Sequence, residues 1–263
     1  MKTLRTILPA TLILLATLAH AHDSWVETNI NVVRTGDVVH VHLMMGNHGN
    51  DHRDFKLAGK VDPQYATLQV LHGNASPIDL KPRLTDQGYA PGEGYWTARF
   101  QPQQPGLYMI AHTYDRVVSY APTRSIKSGK TFFVASESLD SVPVFDGFDR
   151  QLGHALELVP LTNPVTPMGP GQSIRVKLLF QGKPLAGARV SFIPRGQMLA
   201  EDFDQRYERL TDDNGIVRFE FTEANHYLIV AHHADDRAGE GYTSTKYSAT
   251  MTVYVPGICG CCE

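Results

Sequence analysis

The chain is a succession of strand-length runs of Val, Ile, Phe, Tyr and Thr, each closed by Gly, Pro, Asn or Asp, and that pattern leaves few folds open. Val38–Met45, Thr67–His72, Gly94–Phe100, Leu107–Thr113 and Lys130–Ala135 form a first series. Leu156–Pro160, Ser173–Phe180, Ala188–Ile193, Ile216–Thr222, Tyr227–His233 and Tyr247–Val255 form a second. Strands that follow one another through turns, without intervening helical periods, point to all-β sandwiches rather than to a parallel sheet wrapped in helices. Only Met198–Leu210 is expected to hold a short helix. The polar stretch Ser136–Gln151 marks a boundary, giving one β-sandwich over 22–135, a linker over 136–151 and a second sandwich over 152–256. The halves share a plan: Gly94–Phe100 then Pro105–Ala111 is echoed by Gly215–Phe221 then His226–Ala231, a strand, a turn and an aromatic-rich return strand. Both domains are therefore expected to be Ig-like.

The second half carries a more specific signal. Gly182-Lys-Pro-Leu-Ala-Gly-Ala-Arg-Val190 precedes Thr211-Asp-Asp-Asn-Gly215, and this order resembles the carboxypeptidase regulatory-like (transthyretin-like) sandwiches. Gly182 and Pro184 suit a tight connection, and Asp213-Asn214-Gly215 offers the positive-φ positions of a hairpin turn. The resemblance implies a non-catalytic module.

Residues 1–21 read as a cleaved signal peptide. Lys2 and Arg5 open it, Ile7–Leu18 is apolar, and Ala19-His20-Ala21 is a small-x-small cleavage site. The apolar run falls well short of the roughly 20 residues a spanning helix needs, and no later run is longer, so the mature chain is not expected to span a membrane. An exported, periplasmic protein beginning at His22 is the expectation. The chain has a formal net charge of −3, and loss of Lys2 and Arg5 makes it more acidic, so it lacks the basic face that nucleic acid requires. All three cysteines lie in the tail over 257–263, as Cys259, Cys261 and Cys262. Too close together to staple a fold, they suit either a soft metal ion or a disulfide.

Of the 12 histidines, His22, His40, His42, His48, His52, His72 and His112 crowd into the first half. Imidazole suits nickel, copper and zinc. A mature terminus at His22 would chelate one ion through its α-amine and ring; cleavage two residues earlier would make His22 the third residue of an amino-terminal chelate instead. Period two puts His40 and His42, with Met44, on one face of a strand whose other face, Val39, Val41, Leu43 and Met45, turns to the core. They form either a metal-ligand set or a polar solvent face. His48 and His52 follow on a loop rich in Asp and Asn. His112, on a face with Tyr108 and Ile110, reads as a core-edge histidine. No Gly-x-Ser-x-Gly, His-Glu-x-x-His or phosphate loop occurs, so an enzyme is not expected.

His22-Asp-Ser-Trp-Val26, the strand ending Leu43-Met-Met-Gly46, Ala155-Leu-Glu-Leu-Val-Pro-Leu-Thr-Asn-Pro164 and Gly182–Ala188 occur together and in this order. The set resembles a bacterial periplasmic family, domain of unknown function 4198, that is associated with nickel and cobalt uptake. The resemblance implies an auxiliary extracytoplasmic component of nickel or cobalt uptake, ligand chemistry keeps copper as the alternative, and hand-over to an inner-membrane transporter is the expected mechanism. Capture would fall to His22, His40 and His42, with His48 and His52 as further donors. The competing reading is a structural module that binds another protein or a glycan.

Overall fold

The computed structural model describes residues 22–46, 48, 62–88 and 93–257. In chain order the first half contributes β1 (Asp23–Thr28), β2 (Val32–Arg34), β3 (Val39–Gly46), β4 (Ala66–His72), β5 (Ile78–Asp79), β6 (Thr85–Asp86), β7 (Trp96–Phe100), β8 (Gly106–Val117) and β9 (Thr123–Ser136). The second contributes β10 (Leu156–Pro160), β11 (Ser173–Phe180), β12 (Lys183–Pro184), β13 (Arg189–Pro194), β14 (Glu208–Leu210), β15 (Ile216–Glu220), β16 (Asn225–Asp235) and β17 (Ser244–Val255). No α-helix occurs among the described residues, and none of their helical turns is long and apolar enough to cross a membrane.

The chain is all β and built of sandwiches, but the two sandwiches do not close separately. One sheet runs β14–β13–β16–β17–β9–β8–β4–β5, with β2 also on β9. Its junction is the parallel pairing of β17 with β9, from Ser244 opposite Thr123 to Met251 opposite Lys130. The sheet β1–β3–β7–β6 and the sheet of β10, β11, β12 and β15 complete the architecture. Alternation along β8 and β9 shows how three layers arise. Tyr108, Ile110, Phe133 and Ala135 pack with Val26, Val41, Leu43 and Ala98 of the β1–β3–β7 sheet. Leu107, Met109, Phe132 and Val134 pack on the opposite side, in a core with Leu158, Val176, Phe219 and Ile229. Both faces of β8 and β9 are buried between the layers, so Leu107–Ala111 and Phe132–Ala135 read as continuous apolar runs.

Residues 137–155 contain no strand, yet they are not a free spacer. Val142, Phe145, Phe148 and Leu152 pack against the larger core. Just beyond, Glu157 of β10 pairs with Lys130 of β9 at 2.5 Å, both side chains 2 % exposed. Its carboxylate also accepts the amides of Leu152 at 2.6 Å and Gly153 at 2.9 Å. A buried carboxylate needs that many donors to stay ionised.

The helix expected over Met198–Leu210 does not form. Asp204 accepts the amides of Ala200 and Arg206, and Glu208 accepts that of Asp204, so side chains take the donors a helix would use. Only Glu208–Leu210 is regular, as β14. A turn does form before Gly215, but it crosses between sheets and closes no hairpin, since β14 pairs with β13 and β15 with β11, and of Asp213, Asn214 and Gly215 only the glycine has positive φ. Gly215 has φ +72°, a Cβ there would meet the Leu178 carbonyl oxygen at 2.7 Å, and Asp212 accepts the amides of Asn214 and Ile216.

β1 lies between the halves. Its register with β3 is antiparallel, Asp23 opposite Gly46 and Glu27 opposite His42. Val26 points into the first-half core, whereas Trp25, 1 % exposed, packs on Leu228 and Val230 of β16. Its free edge is closed by threonines of β17: Thr250 Oγ1 donates to the Ser24 carbonyl at 2.9 Å and Thr252 Oγ1 to that of Val26 at 2.6 Å. Hydroxyls thus occupy an edge that would otherwise offer bare carbonyls.

Candidate metal-binding groove

The outer face of the β1–β3–β7–β6 sheet carries the histidines of β3. Val39, Val41 and Leu43 are fully buried beneath it, so His40 and His42 turn outward together. Pairing then fixes their neighbours. His42 lies opposite Glu27 on one side and Thr97 on the other, and His40 lies opposite Arg99. Asn29 pins the backbone of His40: its Oδ1 accepts the His40 amide at 2.8 Å, and its amide donates to the His40 carbonyl at 3.1 Å. Both imidazoles line a shallow cavity of about 450 Å3, closed by Arg83, Thr85 and Gln87 along one side and by Tyr95, Thr97 and Arg99 of the β7 region.

His42 is held by packing rather than by hydrogen bonds. The Tyr95 ring stands edge-on to it, centroids 4.9 Å apart, and its Nδ1 is buried without a hydrogen-bond partner. Burial pushes its pKa below 6.5; the Glu27 carboxylate opposes this, while His40 and Arg195 add to it. The ring is therefore neutral at pH 7, the form that coordinates metal. Burial would raise the Glu27 pKa, but Arg195 at 2.5 Å and the Trp25 indole N–H at 3.1 Å outweigh it, so the carboxylate stays ionised. Glu27 is thus already engaged.

The other expected ligands lie elsewhere. His22 sits beyond the Asp23–Gly46 end of the β1–β3 ladder, five residues from the Glu27–His42 pair. At about 3.3 Å per residue this is about 16 Å, too far for His22 and His42 to share an ion. Its carbonyl accepts from the buried Lys127 Nζ at 2.8 Å, and neighbouring Asp23 pairs with His232 at 2.9 Å. The start of β1 does pack beside β3, but the antiparallel direction carries it away from the histidine pair. His48 is buried, edge-on to Trp25 at 5.5 Å, and its Nε2 donates to the His226 carbonyl at 3.0 Å. Burial drives its pKa to about 4. Met44 shares the face of His40 and His42 by alternation, yet the second half covers it: Met44 is 7 % exposed in the cluster of Trp25, Leu228 and Val230. His52, Cys259, Cys261 and Cys262 lie outside the described residues. Among the described residues no three His, Cys, Asp or Glu side chains converge to hold an ion. The groove offers two imidazoles, framed by Arg83 and Arg99, which sequence reasoning did not include because strand pairing, and not spacing along the chain, brings them there.

A model of the family described as "Domain of unknown function (DUF4198)" matches residues 19–235. No curated protein matches the chain significantly. Among solved structures, the D0–D1 domain of intimin is 13 % identical, with 89 % of this chain and 98 % of that one covered and a TM-score of 0.24. Murine CEACAM1b is 13 % identical over 90 % and 100 %, with a TM-score of 0.24. A DUF4785 family protein from Legionella pneumophila is 12 % identical over 88 % of this chain and 56 % of its own, with a TM-score of 0.29. Superposition that loose carries no argument about ligands or partners.

Proposed function

The chain belongs to the DUF4198 family, and on that footing we propose that it is a non-catalytic periplasmic protein that binds a divalent transition metal, nickel or cobalt with copper as the alternative, and passes it to an inner-membrane transporter. One observation carries the reading: His40 and His42 open side by side into one groove. Alternate residues on a strand lie about 6.6 Å apart, a separation from which two imidazoles converge on one ion. A shallow site with two protein ligands also suits transfer better than permanent storage, since fewer bonds break on release.

The test is calorimetric titration of Ni(II), Co(II) and Cu(II) into chain beginning at His22, against the His40→Gln/His42→Gln variant. The variant is expected to bind at least about ten-fold more weakly, a loss of ~1.4 kcal/mol or more. Its circular dichroism is expected to stay unchanged, because Val39, Val41 and Leu43 are untouched. Equal affinities in the two proteins would remove the site.

A further inference from the structure

The groove that holds His40 and His42 is framed by guanidinium groups. Arg99 is the cross-strand neighbour of His40 on β7, and Arg83 lines the same groove beyond it, with Gln87 and Thr85 beside β6. Both arginines are exposed, and neither has an ion-pair or hydrogen-bond partner among the described residues. Among the described residues no Asp or Glu lines the cavity, and Glu27, opposite His42, is paired with Arg195. A bare dication on the imidazoles would share the groove with two positive charges, which weakens its binding. It would also need more donors than two rings supply, whether its geometry is square-planar, tetragonal or octahedral. One ligand class meets both demands.

Building on the metal reading above, we infer that the groove takes the metal as an anionic chelate, an ion already carrying a small polycarboxylate. His40 and His42 fill two open positions on the metal, and Arg83 and Arg99 hold the carboxylates. Guanidinium groups suit this because their planar donors match a carboxylate in paired hydrogen bonds. Thr85, Thr97 and Gln87 add neutral hydrogen-bonding groups along the same wall. The cavity of about 450 Å3 has room for an ion with a citrate-sized partner, which an ion alone would leave mostly empty.

The experiment titrates nickel alone, nickel–citrate and metal-free citrate into untagged chain beginning at His22, into Arg83→Gln/Arg99→Gln and into His40→Gln/His42→Gln. The wild type is expected to bind nickel–citrate at least about ten-fold more tightly than nickel alone. The arginine variant is expected to lose that preference while binding nickel alone at least as well as the wild type does. Both arginines are exposed, so circular dichroism confirms that the variant is folded. Equal wild-type affinity for nickel and nickel–citrate overturns the chelate inference and leaves the histidine reading standing. Metal-free citrate binding as tightly as nickel–citrate, with the histidine variant unaffected, overturns both and makes the groove an anion site. An arginine variant that keeps the full preference for the chelate also overturns the inference.

Discussion

At the scale of single residues, histidine position along the chain says little about histidine role. Three lie on or beside β3, yet two face a groove and His48 is an interior donor with a pKa near 4. His112 is fully buried against Ser24, its Nε2 3.0 Å from the serine hydroxyl, and burial holds its pKa at about 4. Unfolded, such a ring titrates near 6.5, so between those values the unfolded chain binds the extra proton. Stability from a neutral buried His112 is thus complete above pH 6.5 and is lost as pH falls toward 4, by up to about 3 kcal/mol. Denaturation midpoints from pH 7.5 to 4.5 are expected to fall more steeply for wild type than for His112→Gln; parallel slopes would contradict the assignment. Gly129 makes room for this ring. A Cβ there would stand 2.6 Å from His112 Cδ2 and 2.8 Å from Thr250 Oγ1. Gly129→Ala is expected to cost about 1–3 kcal/mol, read from the same curves. The core-edge position of His112 was legible from its alternation with Tyr108 and Ile110. Its serine partner, 88 residues away, was not.

At the scale of elements, period-two alternation located β3, β4, β10, β11, β13 and β16 to within about two residues, and turn chemistry located Gly215. Two kinds of strand escaped it. β8 and β9 extend past the expected Leu107–Thr113 and Lys130–Ala135, because Tyr114–Val117 and Arg124–Lys127 pair as a largely polar, partly exposed ladder that shows no apolar alternation. Lys127 reaches the His22 carbonyl, Ser128 the Leu156 carbonyl at 2.7 Å, and Lys130 Glu157. β1 escaped because it is clamped on both faces, so Trp25 and Val26 stand side by side without alternation. Trp25→Ala would empty one of the largest fully buried sites and take a donor from the Glu27 carboxylate. It is expected to cost about 3–5 kcal/mol in chemical denaturation. A cost below 1 kcal/mol would mean that β1 does not hold the halves together.

At the scale of the whole molecule, the shared sheet joins what the sequence divides at 136–151. The β9–β17 pairing links residues more than 100 positions apart, and no local pattern announces it. Its consequence is cooperativity: calorimetry of the chain beginning at His22 is expected to show one unfolding transition, and residues 22–151 alone are expected not to fold. Two resolved transitions would restore independent domains. Lys130→Met would leave the buried Glu157 without its cation, and is expected to cost about 3–5 kcal/mol in that same transition. The groove forms only once β1, β3, β7 and β6 have aligned, which is why His40 and His42 were legible as a pair while Arg83, Arg99 and Tyr95 were not. Anomalous diffraction at the nickel edge, from crystals of chain beginning at His22 grown with Ni(II), shows whether this pair holds the metal. A peak is expected within about 2.0–2.2 Å of one ring nitrogen each of His40 and His42. A peak at His22, His52 or the cysteine tail, with none in the groove, would contradict it.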